Sequence, residues 1–101
     1  MFVFNASFMM EHETEPQFLK WLKKIKSVVP ADVPSRVSVM REAGGISHSE
    51  ADAQTVSVQW EFGSMSEARD WSGKEFNEIM RECERDFGDK VMVFTSIFET
   101  L

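Results

Sequence analysis

Cysteine occurs once in the sequence, as Cys83, so no disulfide can close within the chain. That is compatible with a reducing compartment, and a cytoplasmic location is expected. Histidine is nearly as scarce, at His12 and His48 only. His12 stands between Glu11 and Glu13, and His48 is followed by Ser49 and Glu50; a surface role is the default for each, since a metal site needs three or four converging ligands. No metal and no other cofactor is expected. Glycine is sparse as well: Gly44-Gly45 reads as a turn pair, and no Gly-rich loop is present to cradle a phosphate. No apolar run is long enough to span a membrane, so no membrane partner is expected. Met1 to Met10 is apolar, but Asn5 and Ser7 interrupt it and it lacks the basic start of a signal peptide.

Positive charge is in the minority. Eleven Lys and Arg face 17 Asp and Glu, for a net charge of −6 and a pI of about 4.9. A phosphate backbone repels such a chain unless basic residues concentrate in a patch, which excludes nucleic acid as the expected partner. The basic cluster Lys20, Lys23, Lys24 and Lys26 has the spacing of the wet face of an amphipathic helix.

Large apolar side chains are abundant, with nine Phe, seven Met and three Trp but no Tyr. The 101 residues and 11.6 kDa accommodate a single domain, residues 1–101. A domain this short has a high surface-to-volume ratio. Some of these rings are therefore expected to cover a subunit interface or line a pocket.

Phe2, Phe4, Ala6, Phe8 and Met10 alternate with Val3, Asn5, Ser7 and Met9, the period of a strand. Thr14-Glu15-Pro16-Gln17 has the form of a helix start, and Phe18, Leu22, Ile25 and Val29 then recur at helical spacing until Pro30 and Pro34. A second strand is predicted from Arg36 to Glu42, followed by a polar loop over residues 43–54. The third strand runs from Thr55 to Phe62, with Val56, Val58, Trp60 and Phe62 on one side and Thr55, Ser57, Gln59 and Glu61 on the other. Ser64-Met65-Ser66-Glu67 is a capping box. Ala68, Trp71, Phe76, Ile79, Met80, Cys83 and Phe87 mark the buried stripe of a helix from Met65 to Phe87, with Gly88 as its terminator. Val91 to Phe98 is the fourth strand. The order βαββαβ predicts an α+β, ferredoxin-like unit: a four-stranded antiparallel sheet with both helices on one face. The second face would stay uncovered, and in the last strand either Val91, Val93, Thr95 and Ile97 or Met92, Phe94, Ser96 and Phe98 must line it. Two such faces packed together predict a homodimer.

Thr55 to Trp60, Ser64 to Glu67 and Arg85-Asp86-Phe87-Gly88-Asp89-Lys90-Val91, with Phe4-Asn5-Ala6-Ser7 in the first strand, resemble a bacterial family of short proteins known only as a domain of unknown function. That family is similar to the dimeric α+β barrels. The resemblance covers residues 1–10 and 54–101 and implies the fold and the dimer, but no reaction. The chain departs from the pattern at Thr95, where the family often carries Arg. The wider barrels include cofactor-independent monooxygenases and haem-degrading enzymes. The latter use an Asn of the first strand, a Trp, and a His on the second helix. Asn5 and Trp60 or Trp71 match two of these, but Met65 to Phe87 contains no His to ligate iron.

Cys83 falls on a buried stripe, where an inert thiol is expected. If the first and third strands are neighbours, Asn5, Ser7, Ser57 and Gln59 point the same way from an otherwise apolar sheet. With Trp60 as an aromatic neighbour, these are the candidate ligand-binding residues, suited to orienting a small apolar or aromatic molecule. They could equally satisfy one another across a dimer. The expected function is a small dimeric module that binds such a ligand or a protein partner. The alternative is a cofactor-independent monooxygenase- or isomerase-like enzyme, whose general base would have to come from Glu61, Arg41 or His48.

Overall fold

The computed structural model describes the backbone of residues 1–26, 33–40 and 53–101. Its elements are strand β1 (Phe2–Glu11), a 3-10 turn (His12–Thr14), helix α1 (Glu15–Lys26), strands β2 (Ser35–Met40) and β3 (Ala53–Phe62), helix α2 (Met65–Phe87), a second 3-10 turn (Gly88–Lys90) and strand β4 (Val91–Glu99). The predicted ends at Val29, Pro30 and Glu42 and most of the 43–54 loop lie outside the described residues.

The strands form one antiparallel sheet in the order β2-β3-β1-β4. Alternation decides which side chains enter the core. Phe4 lies opposite Trp60 and Ile97, Ala6 opposite Val58 and Thr95, and Phe8 opposite Val56 and Val93. Residues directly opposite in a sheet share a face, so these form one apolar surface. Both helices cover it. Phe18 of α1 meets Phe8 at a ring-centroid distance of 5.0 Å, while Trp71 and Phe76 of α2 meet Phe4 at 5.8 and 4.8 Å. Burying a phenyl ring removes enough apolar area from water to stabilise the fold by about 2–3 kcal/mol. The rings of this layer therefore dominate its cohesion.

Helix α2 has the boundaries that its capping residues demand. Ser64 is extended, and its Oγ accepts the Glu67 N–H at 3.1 Å, satisfying one of the open donors of the first turn. At the other end Gly88 adopts φ 56° and ψ −127°, a conformation open almost only to glycine, and donates its N–H to the Glu84 carbonyl. Helix α1 begins at Glu15, where the Thr14-to-Gln17 start signal places it, and the chain enters it through the His12–Thr14 turn, with Thr14 buried. Strand β3 begins earlier than predicted, at Ala53, which brings Gln54 Nε2 to 3.2 Å from His12 Nδ1. No described helix is long and apolar enough to cross a membrane.

Candidate functional site

The face of the sheet away from the helices is built in rows across the strands. Val3 lies between Phe98 and Glu61; Asn5 lies between Ser96 and Gln59, with Arg36 beyond; Ser7 lies between Phe94 and Ser57, with Ser38 beyond; Met9 lies between Met92 and Thr55. Of the two rows that β4 offers, the helices take Val91, Val93 and Ile97. Met92, Phe94 and Phe98 are left 60%, 54% and 41% exposed. Val3 is the exception on this face, buried although it belongs to no part of the helix-side core.

Four of the five candidate ligand-binding residues come together here. β1 and β3 are the central pair, Asn5 is opposite Gln59, and Ser7 is opposite Ser57. Asn5 Nδ2 donates to Ser7 Oγ at 3.2 Å. Ser7 Oγ and Ser57 Oγ are 3.5 Å apart, longer than a good hydroxyl–hydroxyl bond, so both retain capacity for a further partner. All four side chains are neutral and half-buried. They offer a mixed set of donors and acceptors without charge, and the charged groups of this face, Arg36, Glu61 and Glu11, stand toward its margin.

Trp60 does not belong with them. It lies on the helix side, 2% exposed, with its ring 4.6 Å from that of Trp71 and 5.9 Å from that of Phe4. The parity of β3 requires this, since Trp60 shares its side with Val56 and Val58. Trp60 is a core residue and cannot reach a molecule held on the open face. Ser96, Ser38 and Arg36, which the sequence reading did not single out, complete the rows. Strand order was the missing signal, because each reaches its row only through pairing with β1 or β3. Thr95 lies opposite Ala6, on the helix-side parity and away from the open-face rows.

The remaining reactive groups lie elsewhere. Cys83 is buried on α2, and burial, reinforced by the negative charge of Asp86, pushes its thiol up to about 11. At neutral pH it is a protonated, packed thiol rather than a nucleophile. Of the three proposed bases, Glu61 is on the open face, two residues along β3 from Gln59, whereas Arg41 and His48 are outside the described residues. Among the described residues no three His, Cys, Asp or Glu side chains converge as metal ligands.

A two-layer α+β domain with helices on one side and a mixed apolar and neutral-polar sheet face on the other defines the class of the protein. The chain belongs to the family described as Domain of unknown function (DUF4286), which it matches over residues 1–101. No curated protein matches it. Among solved structures it is similar to one titled De novo designed protein Foldit4, at 13% identity and a TM-score of 0.66, with 99% of this chain and 98% of that chain covered. At that identity the likeness is one of fold alone.

Proposed function

We propose that the chain is a ferredoxin-like unit of the dimeric α+β barrel type that acts as a homodimeric binding module. In this reading the open sheet face packs on a second copy, and Asn5, Ser7, Ser57 and Gln59 orient a small apolar or aromatic molecule between the sheets. The order β2-β3-β1-β4, antiparallel throughout, supports the topology. The observation that carries the function is the continuity of neutral hydrogen-bonding groups beside exposed Met92, Phe94 and Phe98. Exposed apolar patches of this kind mark interaction surfaces, and a few convergent polar groups within an apolar lining are the usual make-up of a ligand pocket.

The first measurement is the mass in solution by light scattering at micromolar concentration and physiological salt. Twice the chain mass is expected, and a stable monomer sinks the dimeric module. The ligand half is read with N-phenyl-1-naphthylamine, a neutral aromatic probe whose fluorescence rises in apolar surroundings. Saturable binding of about one probe per dimer is expected, and no binding by a dimeric protein removes the pocket. The enzyme reading rests on Glu61 beside Gln59. It requires turnover of an electron-rich substrate that Glu61→Gln abolishes.

A further inference from the structure

The strand order leaves β4 at one edge of the sheet and β2 at the other. Bonding in an antiparallel pair alternates, so a residue of an edge strand aims its N–H and C=O either at its neighbour or outward. The register of β1 with β4 is unbroken and continues to Met1 opposite Thr100, where the Thr100 N–H donates to the Met1 carbonyl at 2.9 Å. Counted by twos from Thr100, Phe98, Ser96, Phe94 and Met92 bond to β1. Val91, Val93, Thr95, Ile97 and Glu99 therefore turn their backbone groups outward. The other edge agrees: the same alternation carried through β1 and β3 aims the Glu61 backbone toward β2, and its N–H donates to the Pro34 carbonyl at 3.0 Å.

Among the described strands none pairs with the outer side of β4. This edge also lacks the usual protection against pairing. β2 is six residues long, follows Pro34 and carries Arg36, whereas β4 runs for nine residues with no proline and no charge before Glu99.

On the helix side of this edge, α2 and β4 border an open groove. Met80, Cys83, Val91 and Val93 give it an apolar lining, and the exposed Glu84 and Asp89 supply its charge. No Lys or Arg lines it, and Arg85 is engaged by Glu82 and Asp86.

A strand added to β4 places alternate side chains on the helix side, opposite Ile97, Thr95, Val93 and Val91, the last two within the groove. Charge decides what fits there. If β4 lay antiparallel on its own copy over its full length, Glu99 of one chain would fall opposite Val91 of the other. That adds a third acid beside Glu84 and Asp89, and like charges so placed repel. A cation in the same position meets two acids.

We infer that the β4 edge is a docking site for an extended peptide segment. The segment adds as an antiparallel strand, with apolar side chains opposite Ile97, Thr95 and Val93 and a Lys or Arg opposite Val91. Main-chain bonds to the outward groups of Val93, Thr95 and Ile97 hold it, the groove selects its apolar side chain, and Glu84 and Asp89 select the cation. The site is separate from the open face and does not depend on the dimer proposed above.

The probe is the peptide acetyl-Val-Thr-Val-Thr-Val-Thr-Lys-amide, titrated by calorimetry and by amide NMR with hydrogen exchange. Saturable one-to-one binding is expected, with the Val93, Thr95 and Ile97 amides becoming protected. N-methylation of the middle Val removes an N–H aimed at β4 and should weaken binding at least about tenfold. N-methylation of the Thr after it, whose N–H points away, should change binding by less than about threefold. Ending the peptide in Glu instead of Lys should also weaken it at least about tenfold, and Glu84→Lys with Asp89→Lys should reverse that preference. The peptide is read at these amides and the open-face dimer by mass, so either proposal can fail alone. No binding by the folded protein, or binding indifferent to which residue is methylated, overturns strand addition. A Glu-ended peptide that binds as well as the Lys-ended one overturns the cationic partner. If the Val93, Thr95 and Ile97 amides are protected in the free protein and lose that protection on dilution, a second copy holds the edge and the proposal fails.

Discussion

The two faces of one sheet obey different rules although they alternate along the same strands. Toward the helices β1 presents Phe4, Ala6, Phe8 and Met10, all buried. There Phe4, Trp60, Trp71 and Phe76 form a connected set of rings with centroids 4.6–6.2 Å apart, within the range of favourable aromatic contact. Away from the helices the same strand presents Val3, Asn5, Ser7 and Met9. Among the described residues, the exposed Phe94 and Phe98 of β4 make no ring contact. The helix side is complete within one chain. The open side has exposed apolar groups and polar groups with unused capacity, and on that contrast the partner proposed above rests.

Truncating one ring on each side tests this contrast most strongly. Phe8→Ala removes a fully buried ring packed on Phe18. It should cost about 3–5 kcal/mol of unfolding free energy in urea titrations, the usual penalty for a large cavity in a core. Phe94→Ala should change the stability of the isolated chain by less than about 0.5 kcal/mol while weakening self-association. If the two variants unfold with similar penalties under conditions where the protein is monomeric, the open face is not open and the contrast fails.

The dryness of the helix side can be read from pH. With its thiol at about 11 in the fold and 9.0 as the unperturbed value, Cys83 is protonated in both states below about pH 9 and contributes no pH dependence there. Between about 9 and 11 the unfolded chain releases a proton that the folded chain keeps, so stability falls by about 1.4 kcal/mol per unit. The total loss is about 2–3 kcal/mol by pH 11. The quantity to measure is the difference between wild type and Cys83→Ala, which isolates the thiol. A difference that stays flat from pH 8 to 11 means that water reaches the thiol, and the helix-side layer is then less closed than its burial indicates.

Much of the helix side was legible in the sequence because local signals and global packing agree there. The alternation from Phe2 to Met10, the Ser64-to-Glu67 cap and Gly88 each specify their elements without reference to any partner strand. The open side was legible only in part. Asn5 and Ser7 fall on one parity and Ser57 and Gln59 on another, so their meeting follows once β1 and β3 are neighbours. The two rows of β4 are almost equally apolar in sequence. Only pairing with β1 sends Val93 inward and Phe94 outward. Trp60 was the avoidable error, since its parity with Val56 and Val58 already placed it in the core. His12 shows the opposite case, because its contact with Gln54 depends on β3 beginning at Ala53, which no turn signal announces.

The smallest expected effect on folding bears most directly on function. Asn5→Ala with Gln59→Ala removes the Asn5–Ser7 hydrogen bond and the amides that face each other across β1 and β3. Both side chains are only half-buried, so water replaces much of what is lost, and the unfolding free energy should change by less than about 1 kcal/mol. The dimer and the probe then separate two roles. If the amides orient a ligand, the double variant remains a dimer by light scattering and binds N-phenyl-1-naphthylamine at least about tenfold more weakly. If they instead bond to one another across the two copies, the dimer itself weakens, because the partner's polar groups are left buried without acceptors or donors. A double variant that keeps both the dimer and the probe would show that neither the ligand nor the partner uses this row. The contrast between the faces would then reduce to the apolar side chains of β4 alone.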